Sequence, residues 1–117
     1  MAQTKVPPHN EEAEKSILGA LLLDKEAVVK VAEFLMPDHF YEPKHADIYE
    51  AVLELFDDGL PVDLVTLSDK LKSRRKLSKV GGRSYLTELA ESVPTAAHAE
   101  EYGHIVKGLS IRRKLIS

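Results

Sequence analysis

Three groups of residues in this 117-residue chain have types and spacing that could do chemistry. The first is Val80-Gly81-Gly82-Arg83-Ser84-Tyr85-Leu86, two adjacent glycines beside a cation and a hydroxyl, as in a phosphate-binding turn. A nucleotide loop of the form G-x-x-x-x-G-K-[ST] surrounds phosphates with backbone N–H groups and reaches the outer ones with its lysine. None of the six glycines here is followed by lysine, and no apolar strand precedes Gly81. The stretch therefore predicts a tight turn feeding a helix, with no nucleotide or other cofactor held by this chain. The second group is the five histidines, His9, His39, His45, His98 and His104. Their close pairs are six apart, whereas two imidazoles share a helical face, as zinc ligands do, when they are four apart. They are expected to be solvated or capping residues. The adjacent carboxylates Glu11-Glu12 and Asp57-Asp58 point to different faces of a helix. Together with Glu14, the first pair reads as solubilising charge near a helix N-terminus. The serines lie in no nucleophile elbow.

The third group is the basic run Lys70, Lys72, Arg74, Arg75, Lys76, Lys79 and Arg83. Of these, Lys72, Arg74, Arg75 and Lys76 are the candidates for touching nucleic acid. The run lacks interleaved aromatic residues, so it offers bases no stacking platform. The whole chain carries a formal net charge of -3, against the basic balance expected of a domain that grips phosphate backbones. Cations are also favoured near a helix C-terminus, and that is the preferred reading. Arg112, Arg113 and Lys114 form a second, smaller cluster.

The elements that must position these residues are helical. Ala13, Ile17, Leu18, Leu21 and Leu22 recur at the spacing of one buried stripe. Val28, Val31, Ala32 and Leu35 make a second, ended by Pro37. Ile48, Val52, Leu55 and Phe56 make a third, stopped by Gly59 and Pro61. Asp63 is positioned to cap a fourth helix, with Leu64, Leu67 and Leu71 on one face. A fifth begins at Gly82 and carries Leu86, Leu89, Ala90 and Val93. After the Val93-Pro94-Thr95 corner, Thr95 is expected to cap a sixth, whose stripe is Tyr102, Ile105, Val106, Leu109 and Ile116. The short corner predicts that the last two helices fold back on each other. The only β-like run, Leu60 to Val65, contains Pro61 and Asp63, which argue against a strand.

Composition sets the frame. With 44% hydrophobic and 30% charged residues, the chain reads as one globular domain. It has no cysteine, which excludes disulfides and thiolate metal sites and is compatible with a reducing compartment. The apolar run Ile17 to Leu23 is too short to cross a membrane, and the N-terminus lacks a signal-peptide core. The expected location is the cytoplasm. The helical pattern is still running at IRRKLIS, so the chain reads as a fragment of a longer protein.

Several stretches together resemble a known family. VPPHNEEAEKSILGALLLD, DHFYEPKHADIYEAVLEL, GLPVDLVTLSDKL and VGGRSYLTELAESVPTAAHAEEYGHIV are similar to the N-terminal domain of bacterial replicative DNA helicases of the DnaB type. The resemblance covers the chain from Val6 onward. It implies an all-α fold, a compact helical bundle followed by an extended antiparallel helical hairpin. On that pattern residues 1–9 form a flexible N-terminal segment, 10–80 the bundle and 81–117 a hairpin truncated at its C-terminal end. It further implies a parent protein whose separate motor domain carries ATP, magnesium and the DNA-unwinding activity. This domain is then no enzyme by itself. It pairs with copies of itself, in a hexamer in the parent, and docks the C-terminal domain of primase. DNA is reached mainly through the parent, and no membrane is involved. Tyr85, Tyr102, Leu109 and Ile116 are the candidates for the primase and oligomer interface. The alternative is a nucleic-acid-binding helical module that uses Lys70 to Arg83.

Overall fold

The computed structural model describes residues 6–116, and these contain six α-helices and one short 3-10 turn. The helices are α1 (Glu11–Leu23), α2 (Lys25–Ala32), α3 (Pro43–Asp57), α4 (Leu64–Ser73), α5 (Gly82–Ala90) and α6 (Ala99–Ile116). The 3-10 turn is Pro37–His39. No strand occurs among the described residues.

Local chemistry accounts for most of the boundaries. The Asn10 side chain accepts from the Ala13 N–H at 2.9 Å, and the Asp24 side chain accepts from the Glu26 N–H at 2.9 Å. Each satisfies a donor that the first turn of its helix would otherwise leave unpaired. Pro43 opens α3, where its missing N–H costs nothing. Asp63 caps α4 as the sequence predicts, and Thr66 returns the bond by accepting from the Asp63 N–H at 3.0 Å. At the other end of α4, Lys76 N–H reaches the Leu71 carbonyl and Arg75 N–H the Lys72 carbonyl. This paired closure needs a left-handed residue, and Arg75 supplies it with φ 58°.

Helix α1 lies at the centre and packs against α2, α3, α5 and α6. Its buried residues surround it: Ala13, Glu14, Ser16, Ile17, Leu18, Gly19, Ala20 and Leu21. At Gly19 the backbone of α5 comes so close that an added Cβ would drive into the Leu89 carbonyl oxygen and stand 2.7 Å from Ser92 Oγ. One apolar core joins Ile17, Leu21, Val52, Leu67, Leu86, Leu89 and Val106. It runs through the residues on both sides of position 80.

Four sequence expectations are revised. The last two helices do not pair with each other as a hairpin, because α5 and α6 both pack on α1. Burial around the whole circumference of α1 gives each of them an apolar partner there, so neither needs the other. The sixth helix begins at Ala99 and not at the Thr95 cap, because Thr95 Oγ1 is spent on the Ala97 N–H at 3.1 Å in a local turn. Its buried face is also different, being Ala99, Gly103, Val106 and Ser110. Small side chains there let α6 approach Val31 and Phe34 of the α2 region, and a Cβ on Gly103 would lie 3.0 Å from Phe34 Cζ. Lastly, His45 and Glu14 are buried rather than solvated, whereas His39, also buried, is a capping residue as expected, its ring accepting from the Met36 N–H at 2.9 Å. Of the N-terminal segment, residues 1–5 lie outside the described residues. His9 is stacked on the Tyr41 ring with centroids 4.0 Å apart.

Candidate functional site

The Gly81-Gly82 turn is built for its backbone shape. Its amides are already used, Gly81 N–H donating to the Ser78 carbonyl at 3.1 Å and Gly82 N–H to the Leu77 carbonyl at 2.8 Å. N–H groups committed to a turn cannot surround a phosphate. Both glycines have positive φ, 114° and 75°, which explains the doublet.

Tyr85, just beyond that turn, is tied to the bundle by a buried polar chain. Its hydroxyl lies 2.6 Å from His45 Nε2, and His45 Nδ1 lies 2.8 Å from Glu14 Oε1. The Glu14 carboxylate also accepts from the Tyr41 N–H at 2.6 Å and the Glu42 N–H at 3.3 Å. With the carboxylate as acceptor, Nδ1–H donates to it and Nε2 is free to accept from the tyrosine. Burial, aided by the charges of Glu11, Glu88, Glu42 and Glu14, pushes the Tyr85 hydroxyl up to about 12, so it stays a proton donor at neutral pH. One ring face stacks on His45 and Lys44 Nζ stands 4.2 Å from the ring centroid. Tyr85 is therefore half-buried, with its hydroxyl committed inward and part of its ring exposed.

Three of the seven cations of the basic run are matched by acids of α3 and its C-terminal cap. Arg74 pairs with Glu54, Lys76 with Asp47 at 3.2 Å and Glu50 at 3.8 Å, and Lys70 with Asp58 at 4.0 Å. The acids recur along α3 and at its C-cap Asp58 at three- and four-residue intervals and so present one face to the end of α4. Lys72 and Arg75 are exposed and show no ion pair among the described residues. Four candidate cations thus divide into two that are engaged and two that are open. This is a structural seam more than a track for a phosphate backbone. No cluster of three His, Cys, Asp or Glu residues is placed to hold a metal among the described residues. None of the helices described is long and apolar enough to cross a membrane.

The strongest candidate surface is the outward side of α6. Ile105 is 43% exposed, Ile116 70% and Leu115 79%, and Ile111 is exposed as well. Leu109 and Tyr102 are half-buried between this side and the core. Tyr102, Ile105, Leu109 and Ile116 share one side of the helix, being spaced by three, four and seven residues. Tyr102 also lines an open groove of about 550 Å³ with Glu11, Glu12, Lys15 and Pro94. The inward side is held by small residues and by polar contacts. His104 stacks on Phe34 with centroids 4.0 Å apart, and Arg113 donates to the carbonyls of Pro8 at 2.9 Å and His39 at 2.8 Å. The structure thus gathers three of the four predicted interface residues on α6 and leaves Tyr85 apart on α5. Sequence reading missed Ile111 and Leu115. The available signal was the width of the apolar arc from Tyr102 to Ile116, too broad for a helix with a single partner.

A family model described as the DnaB-like helicase N terminal domain matches residues 6–108. The chain is 50% identical over 112 residues to the replicative DNA helicase DnaC of Bacillus subtilis. That match takes in 96% of this chain and 25% of the relative, so the chain spans about a quarter of the curated helicase. The crystal structure of the N-terminal domain of DnaB helicase from Mycobacterium tuberculosis superposes with a TM-score of 0.92 at 42% identity, covering 95% of this chain and 80% of that one. A DnaB-like replicative helicase, described with its interactions with primase, superposes at 0.81 with 34% identity, covering 92% of this chain and 25% of that one.

Proposed function

The chain belongs to the DnaB-like helicase N-terminal domain family, and from that premise we propose that it is the collar domain of a replicative DNA helicase, serving self-association and the docking of primase. On this reading ATP, magnesium and DNA unwinding belong to a motor domain of the parent protein, and this domain does no catalysis. The observation that carries the proposal is the outward apolar side of α6. A helix that buries Ala99, Gly103 and Ser110 while exposing Ile105, Ile116 and Leu115 has large apolar side chains left for a second partner, since exposed apolar surface marks interaction sites.

Copies of the chain are expected to meet through Ile105, Leu109 and Ile116, with Tyr102 and the groove beside it at the rim. The exposed part of the Tyr85 ring offers primase a separate contact on α5, apolar in area and cationic at its edge through Lys44. Neutralisation of Arg74 and Lys76 by α3 argues against the nucleic-acid module.

The test is sedimentation or light scattering over a concentration series, with a parallel titration of the primase C-terminal domain. The wild-type chain should shift from monomer to oligomer, and Ile105→Ser with Ile116→Ser should move that transition to at least about tenfold higher concentration, the equivalent of about 1.4 kcal/mol. Association that survives the double substitution would sink the proposal.

A further inference from the structure

Two histidines are buried in this domain, and their partners differ in one chemical respect. His45 lies between a carboxylate and a phenol hydroxyl. A hydroxyl both donates and accepts, so this contact does not fix whether the His45 ring carries a proton at Nε2. His39 has no such freedom. Its Nδ1 accepts from the Met36 backbone N–H at 2.9 Å. A backbone N–H only donates, so this bond requires a bare Nδ1 and a neutral ring with its proton on Nε2.

The same residue is joined to the end of α6. Arg113 Nη2 donates to the His39 carbonyl at 2.8 Å, and Nη1 donates to the Pro8 carbonyl at 2.9 Å. The guanidinium also stands 5.4 Å from the Tyr41 ring centroid, whose ring stacks on His9. Lys114, one residue on, lies 4.0 Å from Asp38. The end of α6 is thus fastened to the Pro37–His39 turn through two side chains, and the His39 lone pair adds a third bond to a turn already closed by His39 N–H to the Met36 carbonyl at 3.0 Å and Phe40 N–H to the Pro37 carbonyl at 3.2 Å.

We propose that His39 is a proton-operated latch on the C-terminal turns of α6: the neutral ring holds the turn that offers its carbonyl to Arg113, and protonation releases it. This goes beyond the docking role, because it concerns when the outer face of α6 is held in place.

The surroundings favour the neutral ring. From α6, Lys107, Arg113 and Lys114 face it with positive charge, and only Asp38 of its own turn acts the other way. From α3 come Tyr49, whose hydroxyl donates to the Leu35 carbonyl and is kept neutral by burial, and His45, already engaged by Glu14. His9 of the N-terminal segment stacks on Tyr41, whose ring Arg113 also approaches. Burial, first of all, holds the His39 ring below the ordinary histidine range, with the three α6 cations adding to it against Asp38. The sign follows. Above the ordinary value of about 6.5 both folded and unfolded chains carry a neutral ring, and the stabilisation is complete. As pH falls below that value the unfolded chain takes the proton first, and stability is lost down through the folded value. The latch is therefore shut at neutral pH and opens on acidification.

The test is a pH titration of the 117-residue chain by NMR, following the His39 ring signal and the backbone signals of residues 111–116. The expected result is a His39 midpoint below that of free histidine, with the backbone signals moving at the same midpoint. Amide protection should be lost in the last turns of α6 and retained in α1. In His39→Asn, whose side-chain oxygen can accept the Met36 N–H without titrating, the α6 signals should stop responding. Arg113→Ala gives a second arm, since His39 should still titrate while the α6 end is loose at every pH. Signals of residues 111–116 that ignore the His39 midpoint would overturn the proposal. So would an unchanged pH response in His39→Asn. Should His39→Asn not fold, an Arg113→Ala chain whose α6 end still tightens at neutral pH would overturn it equally.

Discussion

Helix α1 turns Ile17, Leu18 and Leu21 inward, whereas α6 turns Ile105, Leu115 and Ile116 outward. Both helices touch the same core, yet they use opposite kinds of residue to do it. Around α1 the neighbours come close enough that Gly19 meets the backbone of α5 and the carboxylate of Glu14 is enclosed with three donors. Along α6 the contact is made by Ala99, Gly103, Val106 and Ser110, and its far end is held by Arg113. A helix that contributes large side chains to a core is fixed by their burial, worth about 1.5–3 kcal/mol for each side chain fully removed from water. A helix that contributes small ones gains less from the core and keeps its large side chains for something else. The difference separates a helix fixed by large buried side chains from one that leaves its large side chains exposed.

The contrast can be broken or sharpened with single substitutions. The largest effect is expected at the α1–α5 crossing. Gly19→Ala places a methyl group against a backbone carbonyl, which cannot swing aside, so the helices must separate at a cost of about 3 kcal/mol in urea unfolding. A cost below 1 kcal/mol would mean that α1 is less tightly enclosed than the structure shows. On α6 the same change should have the opposite sign. A Cβ at Gly108 meets nothing within 4 Å, so Gly108→Ala should stabilise the monomer by about 1 kcal/mol through helix propensity alone. The smallest effect is expected on the outer face. Ile105→Ser should change monomer stability by no more than about 0.5 kcal/mol, measured at a concentration where association is absent. A loss near that of a core leucine would show that Ile105 is packed within the monomer, and the comparison between the two helices would collapse.

Much of the fold was legible in the sequence because helix formation is written locally. The Asp63 cap, the Gly59 and Pro61 stop and the apolar spacing in α1, α3 and α4 each act within a turn or so of their own position. The Thr95 cap failed because a hydroxyl that can close a helix can also close a tighter turn on the Ala97 N–H, and sequence does not rank the two. The stripe on α6 failed for another reason. Hydrophobic spacing identifies apolar residues, and it assumes that they face the nearest core. Here Gly103 and Ser110 face it instead, since the core wall formed by Val31 and Phe34 leaves room only for small residues. The interface candidates occupy different surroundings. Tyr102, Leu109 and Ile116 fell on one helix side, whereas Tyr85 is bonded to a histidine that no local pattern connects to it.

Composition and local patterns, without any fold, determined an all-α chain, the approximate limits of its helices, the absence of a phosphate loop and the family it resembles. Those properties depend on residues within a few positions of each other, which is the range over which backbone preference and capping act. Only the tertiary structure decided which face each helix buries, which cations are neutralised and which histidines are enclosed. Glu14 meets His45 across 31 residues and Arg113 meets His39 across 74. Contacts at that separation exist only once the chain has packed around α1, and whether a charged group is solvated or buried is settled by the neighbours that arrive there.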